Sequence, residues 1–399
     1  MLLLTNLLLN KIYLTLYQNV AKMEKAFIFG VAALGHNFTD REEETHRLST
    51  NFQNGINSVI VSPRRWGKTS LVKKVACLVN KSESQVKVVT MDAFMCRTEA
   101  DFYRLFTTEI IKQTSTKWEE WMENAKNFLT RVSPKFNMGI DPVNDFSISF
   151  DVFKDMQVEQ DILDLPQKLA VSKNIRLVIC IDEFQQIAEY ANPIDFQKKL
   201  RSIWQLQTQV TYCLYGSKMH VLTKLFAKQS SPFYKFGDFI YLKKIDEAHW
   251  INYICGRFKF SGKSITEALA AKICRSVDYH SSYVQHLAWL IWIKTTNEAN
   301  EANYNEALED LINQNKILYY NQTENLSAYQ LNFLKALVNG VQSEFSSADI
   351  IKQYNLGSSA NVSRLKKALE QKELIDISGT KVTLLDPLFG YWLKNEMKF

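Results

Sequence analysis

The sequence predicts an α/β protein: a five-stranded parallel sheet wound with helices, then an all-helical stretch, then a small winged-helix domain. Three observations carry that expectation. Short β-branched runs alternate with helical stretches through residues 23–245, the pattern of a doubly wound sheet. Residues 246–325 read as helix almost throughout. From Ser327 to the C-terminus, helix-length segments give way to two short strands around Gly379. The expected domains are therefore 23–245, 246–325 and 326–399.

The composition is compatible with sizeable cores. Of 399 residues, 46% are hydrophobic, including 24 Phe, 17 Tyr and 8 Trp, which argues against disorder. Only 13 Gly, 7 Pro and 6 Cys argue against collagen and disulfide scaffolds. The cysteines are scattered without a C-x-x-C pair, and Cys180 and Cys213 sit inside apolar runs. That usage fits a reducing cytoplasm. His280 and His286 fall on different sides of a helix and predict no zinc site. Residues 1–22 are apolar but broken by Asn6, Asn10 and Lys11, which fits neither a signal peptide nor a membrane span. They are expected to be a non-native extension, with Met23 a natural start.

The first strand, Ser58-Val59-Ile60-Val61, runs into Ser62-Pro63-Arg64-Arg65-Trp66-Gly67-Lys68-Thr69-Ser70, after which a helix begins. Strand, loop and helix in that order are the context of a phosphate-binding loop. Backbone amides and the helix N-terminus attract phosphate. Lys68 is expected to reach the β- and γ-phosphates, and the Thr69 hydroxyl to ligate Mg²⁺. The pattern G-x-x-x-x-G-K-[ST] is met except at Ser62, which lacks glycine's freedom at positive φ. Strain is expected there if the turn needs left-handed backbone.

Val86 to Asp92 predicts a second strand. Residues 99–130 are helical in pattern, with Phe102, Leu105, Phe106, Ile110 and Ile111 at core spacing, and 136–150 read as a hairpin. Ile175 to Asp182 is an apolar strand that ends in Asp182-Glu183. Acids at the C-terminal end of a buried parallel strand fall where open α/β sheets bind ligands. Asp182 is expected in the Mg²⁺ shell, and Glu183 as general base towards water. Thr211 to Gly216 is a fourth strand, after which Ser217 could sense the γ-phosphate or end an ordinary turn. Phe239 to Leu242 is a fifth. No Asn/Thr-Lys-x-Asp element is present, so ATP is expected rather than GTP.

In the C-terminal region, helices are expected at 329–337, 347–354 and 358–372, with strands at 374–377 and 382–385. Residues 358–372 occupy the recognition-helix place, with Asn361, Arg364, Lys366 and Lys367 as candidate contacts to duplex DNA. Residues 327–399 hold 9 basic and 7 acidic side chains, a weak footprint for DNA. The overall +6 sits in residues 1–98, with 13 basic against 7 acidic, where the phosphate loop lies.

With these motifs in place, the chain from about Met23 onward resembles the archaeal-type AAA+ ATPases related to the STAND regulators. The resemblance rests on Pro63-Arg64-Arg65-Trp66-Gly67-Lys68-Thr69-Ser70-Leu71 and on Phe38-Thr39-Asp40-Arg41-Glu42. It implies that Phe38 and Arg41 help enclose adenine; from the residues alone this is a helix start with Thr39 or Asp40 as cap. It also implies that residues 246–325 form a lid over nucleotide. Lys235 stands where the family carries an Arg, and cannot reproduce a bidentate phosphate contact. Arg257 could contribute from the lid or be an ordinary surface residue. The implied function is a slowly hydrolysing ATP-dependent switch that moves lid and winged helix and engages a protein partner or effector. The alternative is a DNA-associated ATPase resembling replication initiators.

Overall fold

The computed structural model describes residues 26–82, 85–115 and 156–397. Residues 1–22 and the expected hairpin at 136–150 lie outside these. The described residues form two compact units, those within 34–245 together with 325–397, and 26–33 with 246–324.

In the first unit, strands β1 (Ser58–Val61), β2 (Val86–Asp92), β3 (Arg176–Asp182), β4 (Val210–Gly216) and β5 (Asp238–Tyr241) form one sheet in the order β2-β3-β4-β1-β5. All neighbours pair in parallel. Alternation along each strand divides the core in two. Leu177, Ile179 and Ile181 face one cluster, beneath helices α3 (Glu99–Thr114), α4 (Met156–Ser172), α5 (Pro193–Trp204) and α6 (Met219–Ala227). Val178 and Cys180 face the other, beneath α1 (Glu42–Asn54) and α2 (Lys68–Ser82). Burial of both faces explains why β1, β3 and β4 read as apolar runs.

Register brings the chemistry to one edge. Asp92 pairs with Asp182, and Val61 with Gly216, so both pairs lie at the C-terminal ends of their strands. Because β4 lies between β1 and β3, Ser217 emerges between the loop after β1 and the acids after β3.

Within 99–130, expected to be helical, α3 spans Glu99–Thr114, with the Ser115 amide bonded to Ile111 O; residues 116–130 lie outside the described residues. Thr98 closes the N-terminus of α3 in a capping box with Asp101. One local expectation is corrected: neither Thr39 nor Asp40 caps α1. Arg41 occupies the cap position in left-handed backbone (φ 75°), preceded by Asp40 at φ 59°.

The winged-helix segment contains α11 (Ala328–Val338), α12 (Ala348–Tyr354), α13 (Ser359–Gln371), the antiparallel pair β6 (Ile375–Ser378) and β7 (Lys381–Leu384), and α14 (Pro387–Asn395). Ser327, Ser347, Ser358 and Asp386 each cap a helix through the side chain. Gly379, at φ 63°, makes the tight turn between the strands.

The second unit is helical: α7 (Glu247–Phe260), α8 (Glu267–Ser276), α9 (Ser281–Lys294) and α10 (Glu301–Glu324). Residues 26–33, expected to open the sheet domain, pack in this unit. Phe27 is buried against Tyr253 and Phe258, and Phe29 stacks on His286 at 4.0 Å. Helix α10 continues to Glu324, with Tyr319 and Thr323 buried. Among the described residues, no helix is long and apolar enough to cross a membrane.

Candidate nucleotide site

The loop after β1 turns without left-handed backbone at Ser62. Positive φ falls instead at Arg65 (63°) and Gly67 (97°). Ser62 therefore meets no conformational penalty at the position where the pattern has glycine. Its hydroxyl donates to Pro63 O (3.2 Å). Lys68, the first residue of α2, is buried, and its Nζ donates to Ser62 O (2.8 Å), Ser62 Oγ (3.3 Å) and Pro63 O (2.8 Å). Burial lowers the Lys68 ammonium to about 8, against the opposing pull of Asp182 and Glu183, while Arg64 adds to the fall. Arg64 and Arg65 are exposed. Trp66 is half-buried, with its indole N–H enclosed and without a partner.

Across the edge, Thr69 Oγ1 donates to Asp182 Oδ2 at 2.6 Å. The second Asp182 oxygen accepts the Glu183 amide at 2.8 Å. Burial pushes the Asp182 carboxyl up to about 6, opposed by those two donors, with the charges of Glu183 and Asp92 adding to the rise. A hydroxyl and a carboxylate in contact form an oxygen-donor set that suits Mg²⁺. Glu183 is half-buried in left-handed backbone (φ 50°), and Ser217 Oγ donates to its Oε2 at 3.0 Å. Ser62, Pro63, Lys68, Thr69, Asp182, Glu183 and Ser217 are thus joined by loop and hydrogen bonds.

The remaining candidates have other surroundings. Phe38 packs on the core beside α1, with Lys74 Nζ 4.0 Å from its ring centroid. Arg41 is buried, bonded to Glu44 (3.0 Å) and to Lys243 O (2.6 Å). Ser70 is buried in the first turn of α2. Lys235 is exposed, its ammonium over the Tyr234 ring. Arg257 is not a surface residue: it is buried in the helical unit, with Nε donating to Ala26 O at 2.6 Å. On α13, Arg364 and Lys367 are exposed. Asn361 instead donates to Leu356 O (2.8 Å), and Lys366 lies over the Phe345 ring.

Two residues of the site escaped the sequence reading. Gln185 is buried and donates through Nε2 to Glu183 Oε2. Asp92 lies beside Asp182 in register, though exposed and committed through Oδ1 to the Phe94 amide (2.9 Å). Position at the C-terminal end of a strand was the available signal for Asp92. For Gln185 it was adjacency to Asp182-Glu183.

Fold and site together define a P-loop ATPase fold followed by a winged helix. Family models match two segments: residues 65–190 to the KAP family P-loop domain, and 317–395 to a probable winged helix domain. The structure is similar to the Walker-type ATPase PABY2304 of Pyrococcus abyssi, with TM-score 0.65 at 15% identity, covering 92% of this chain and 99% of that one. It is also similar to the ORC2 protein of Aeropyrum pernix, solved in ADPNP–ADP complexes, with TM-score 0.58 at 15% identity over 95% of this chain and 99% of that one. No curated protein sequence matches the chain. The expected P-loop NTPase fold with a C-terminal winged helix is borne out.

Proposed function

We propose that the protein is an ATP-binding, slowly hydrolysing switch of the AAA+/STAND type. The observation that carries this reading is the Thr69–Asp182 contact at 2.6 Å, which joins the phosphate loop to the strand-end acids. Residues 62–70 would cradle the phosphates, with Phe38 and Arg41 towards the adenine. Thr69 and Asp182 would hold Mg²⁺, which supplies charge neutralisation on the phosphate oxygens. Lys68 would exchange its carbonyl partners for β- and γ-phosphate oxygens. Glu183 would take a proton from the attacking water as the new P–O bond forms, and ADP would leave as the bond to the γ-phosphorus breaks. Ser217 would orient Glu183 and read the γ-phosphate. All six cysteines are free, which supports a reducing compartment, and we place the protein in the cytoplasm.

Calorimetry with a non-hydrolysable ATP analogue and a phosphate-release assay test the site. Glu183→Gln should lower kcat by about 100-fold or more with binding kept. Lys68→Ala should weaken binding itself by about 100-fold. Binding unchanged in Lys68→Ala would sink the reading. The switch component has nucleotide state moving residues 246–325 and the winged helix to engage a protein partner or effector. Identical limited-proteolysis patterns with ADP, with the analogue and without nucleotide would rule it out. The reading as a DNA-associated ATPase is favoured by one observation, the exposure of Arg364 and Lys367 on α13. It requires duplex binding by the full chain that weakens steeply with salt and is lost in the Arg364→Ala/Lys367→Ala variant.

A further inference from the structure

We propose that Gln185 is a positioning residue that aims the Glu183 carboxylate, and that position 216 is glycine in order to admit it. The inference rests on Glu183 acting as general base.

A carboxylate used as a base must present one oxygen to water while the rest of the group is held still. At Glu183 the holding is one-sided. Gln185 Nε2 and Ser217 Oγ both donate to Oε2. The backbone is fixed separately, because the Glu183 amide is committed to Asp182 Oδ1 at 2.8 Å. Oε1 is thereby left to accept from a water. An ionised carboxylate only accepts, so the Gln185 amide must turn its nitrogen towards Glu183 and its oxygen away.

The consequence of that orientation is visible on β4. Gln185 is 1% exposed, and its Oε1 is enclosed without a hydrogen-bond partner. It lies against Gly216, where a Cβ would come within 2.8 Å of Gln185 Cδ and closer still to Oε1. Gly216 does not have positive φ. Space rather than backbone conformation therefore ties glycine to this position, because a Cβ there would have to displace the Gln185 amide. Strand β4 gives up a side chain next to Ser217, and the amide that fills the space reaches Glu183. An unpaired buried acceptor is costly, which argues against a merely structural reason for choosing glutamine over an apolar side chain.

The test is a double-mutant cycle on the full-length protein, reading kcat, KM, analogue affinity and Tm for Gln185→Leu, Gln185→Ala, Gly216→Ala and Gly216→Ala/Gln185→Ala. Gln185→Leu keeps the bulk and removes the donor. It should lower kcat by about 10- to 100-fold, with KM and analogue affinity within about twofold of wild type. Gly216→Ala should produce a similar kcat loss by displacing the amide. It should add little once Gln185 is alanine, because the two act through one contact. Wild-type kcat in Gln185→Leu overturns the proposal, as does a matching loss of analogue affinity and Tm, which marks a packing role. A wild-type protein that binds the analogue but never releases phosphate from ATP overturns the general-base reading, and this inference with it. That outcome is distinct, because it does not depend on residue 185.

Discussion

The two ends of the sheet-containing unit are built on different terms. At the phosphate-loop end, charged and polar groups are buried: Arg41, Ser62, Lys68, Asp182 and Gln185 are each at most 9% exposed. Left-handed backbone at non-glycine residues does not separate the two: it falls at Asp40, Arg41, Arg65 and Glu183 here and at Glu344, Asn355 and Glu373 in the winged helix, at an expected cost of about 1 kcal/mol or more each. In the winged helix, residues 325–397, no polar or charged side chain is buried to that degree among the described residues. Its helices start on side-chain caps, and its core is Phe333, Phe345, Leu365, Leu369, Phe389 and Trp392. One end gives up stability to hold charge where a phosphate could meet it; the other keeps it. Such asymmetry is expected of a site beside a scaffold.

The largest effect that should separate the two ends comes from the scaffold. Trp392 is fully buried and stacked on Phe389 with ring centroids 6.0 Å apart. Trp392→Ala should cost about 3–5 kcal/mol of local stability. Denaturant unfolding should show an early transition for this segment, while analogue affinity stays within about twofold. A parallel collapse of nucleotide affinity would break the comparison, because the two ends would then share one cooperative unit.

That asymmetry also governs what could be read from the sequence. The strands with both faces covered, β1, β3 and β4, are apolar runs. The edge strands β2 and β5 keep enough β-branched and aromatic residues that all five were visible. Phosphate chemistry needs particular residue types at fixed spacing, and this made Lys68, Thr69, Asp182 and Glu183 legible as candidates. Gln185 and Gly216 were not, because their relation exists only when β4 is set beside the turn after β3. Nor was the cap of α1, since no propensity scale would place arginine in left-handed backbone. In the winged helix the reverse holds. Serine caps and Gly379 made the fold plain. Asn361, one of four candidate DNA contacts, is occupied by Leu356 O, a tertiary fact that no local pattern records.

An intermediate effect concerns proton linkage at the charged end. Lys68 is held at about 8, below its ordinary 10.5, mainly by burial. Between those values the native protein carries fewer protons than the unfolded chain, so this group makes stability rise with pH across that window. A phosphate opposite Lys68 favours the ammonium, so binding should take up a proton above about pH 8. Affinity should then weaken by up to about tenfold per pH unit above 8 and be flat with respect to this group below it. Calorimetry in buffers of different ionisation enthalpy would show the uptake. Its absence in wild type would mean that Lys68 does not face the phosphates.

The smallest effect tests whether the serine in the phosphate loop is a defect or an adaptation. Ser62 is 1% exposed, its backbone is not left-handed, and its carbonyl and hydroxyl both accept from Lys68. Ser62→Gly restores the usual pattern but removes one of the three oxygens around the ammonium and loosens the unfolded chain. It should therefore destabilise the protein by about 0.5–1 kcal/mol and change analogue affinity by less than about threefold. A tenfold gain in affinity would mean that the turn is strained by serine after all. A loss in Tm with affinity preserved would place Ser62 with the scaffold rather than with the ligand, narrowing the costly part of this end to Lys68, Asp182 and the residues that orient Glu183.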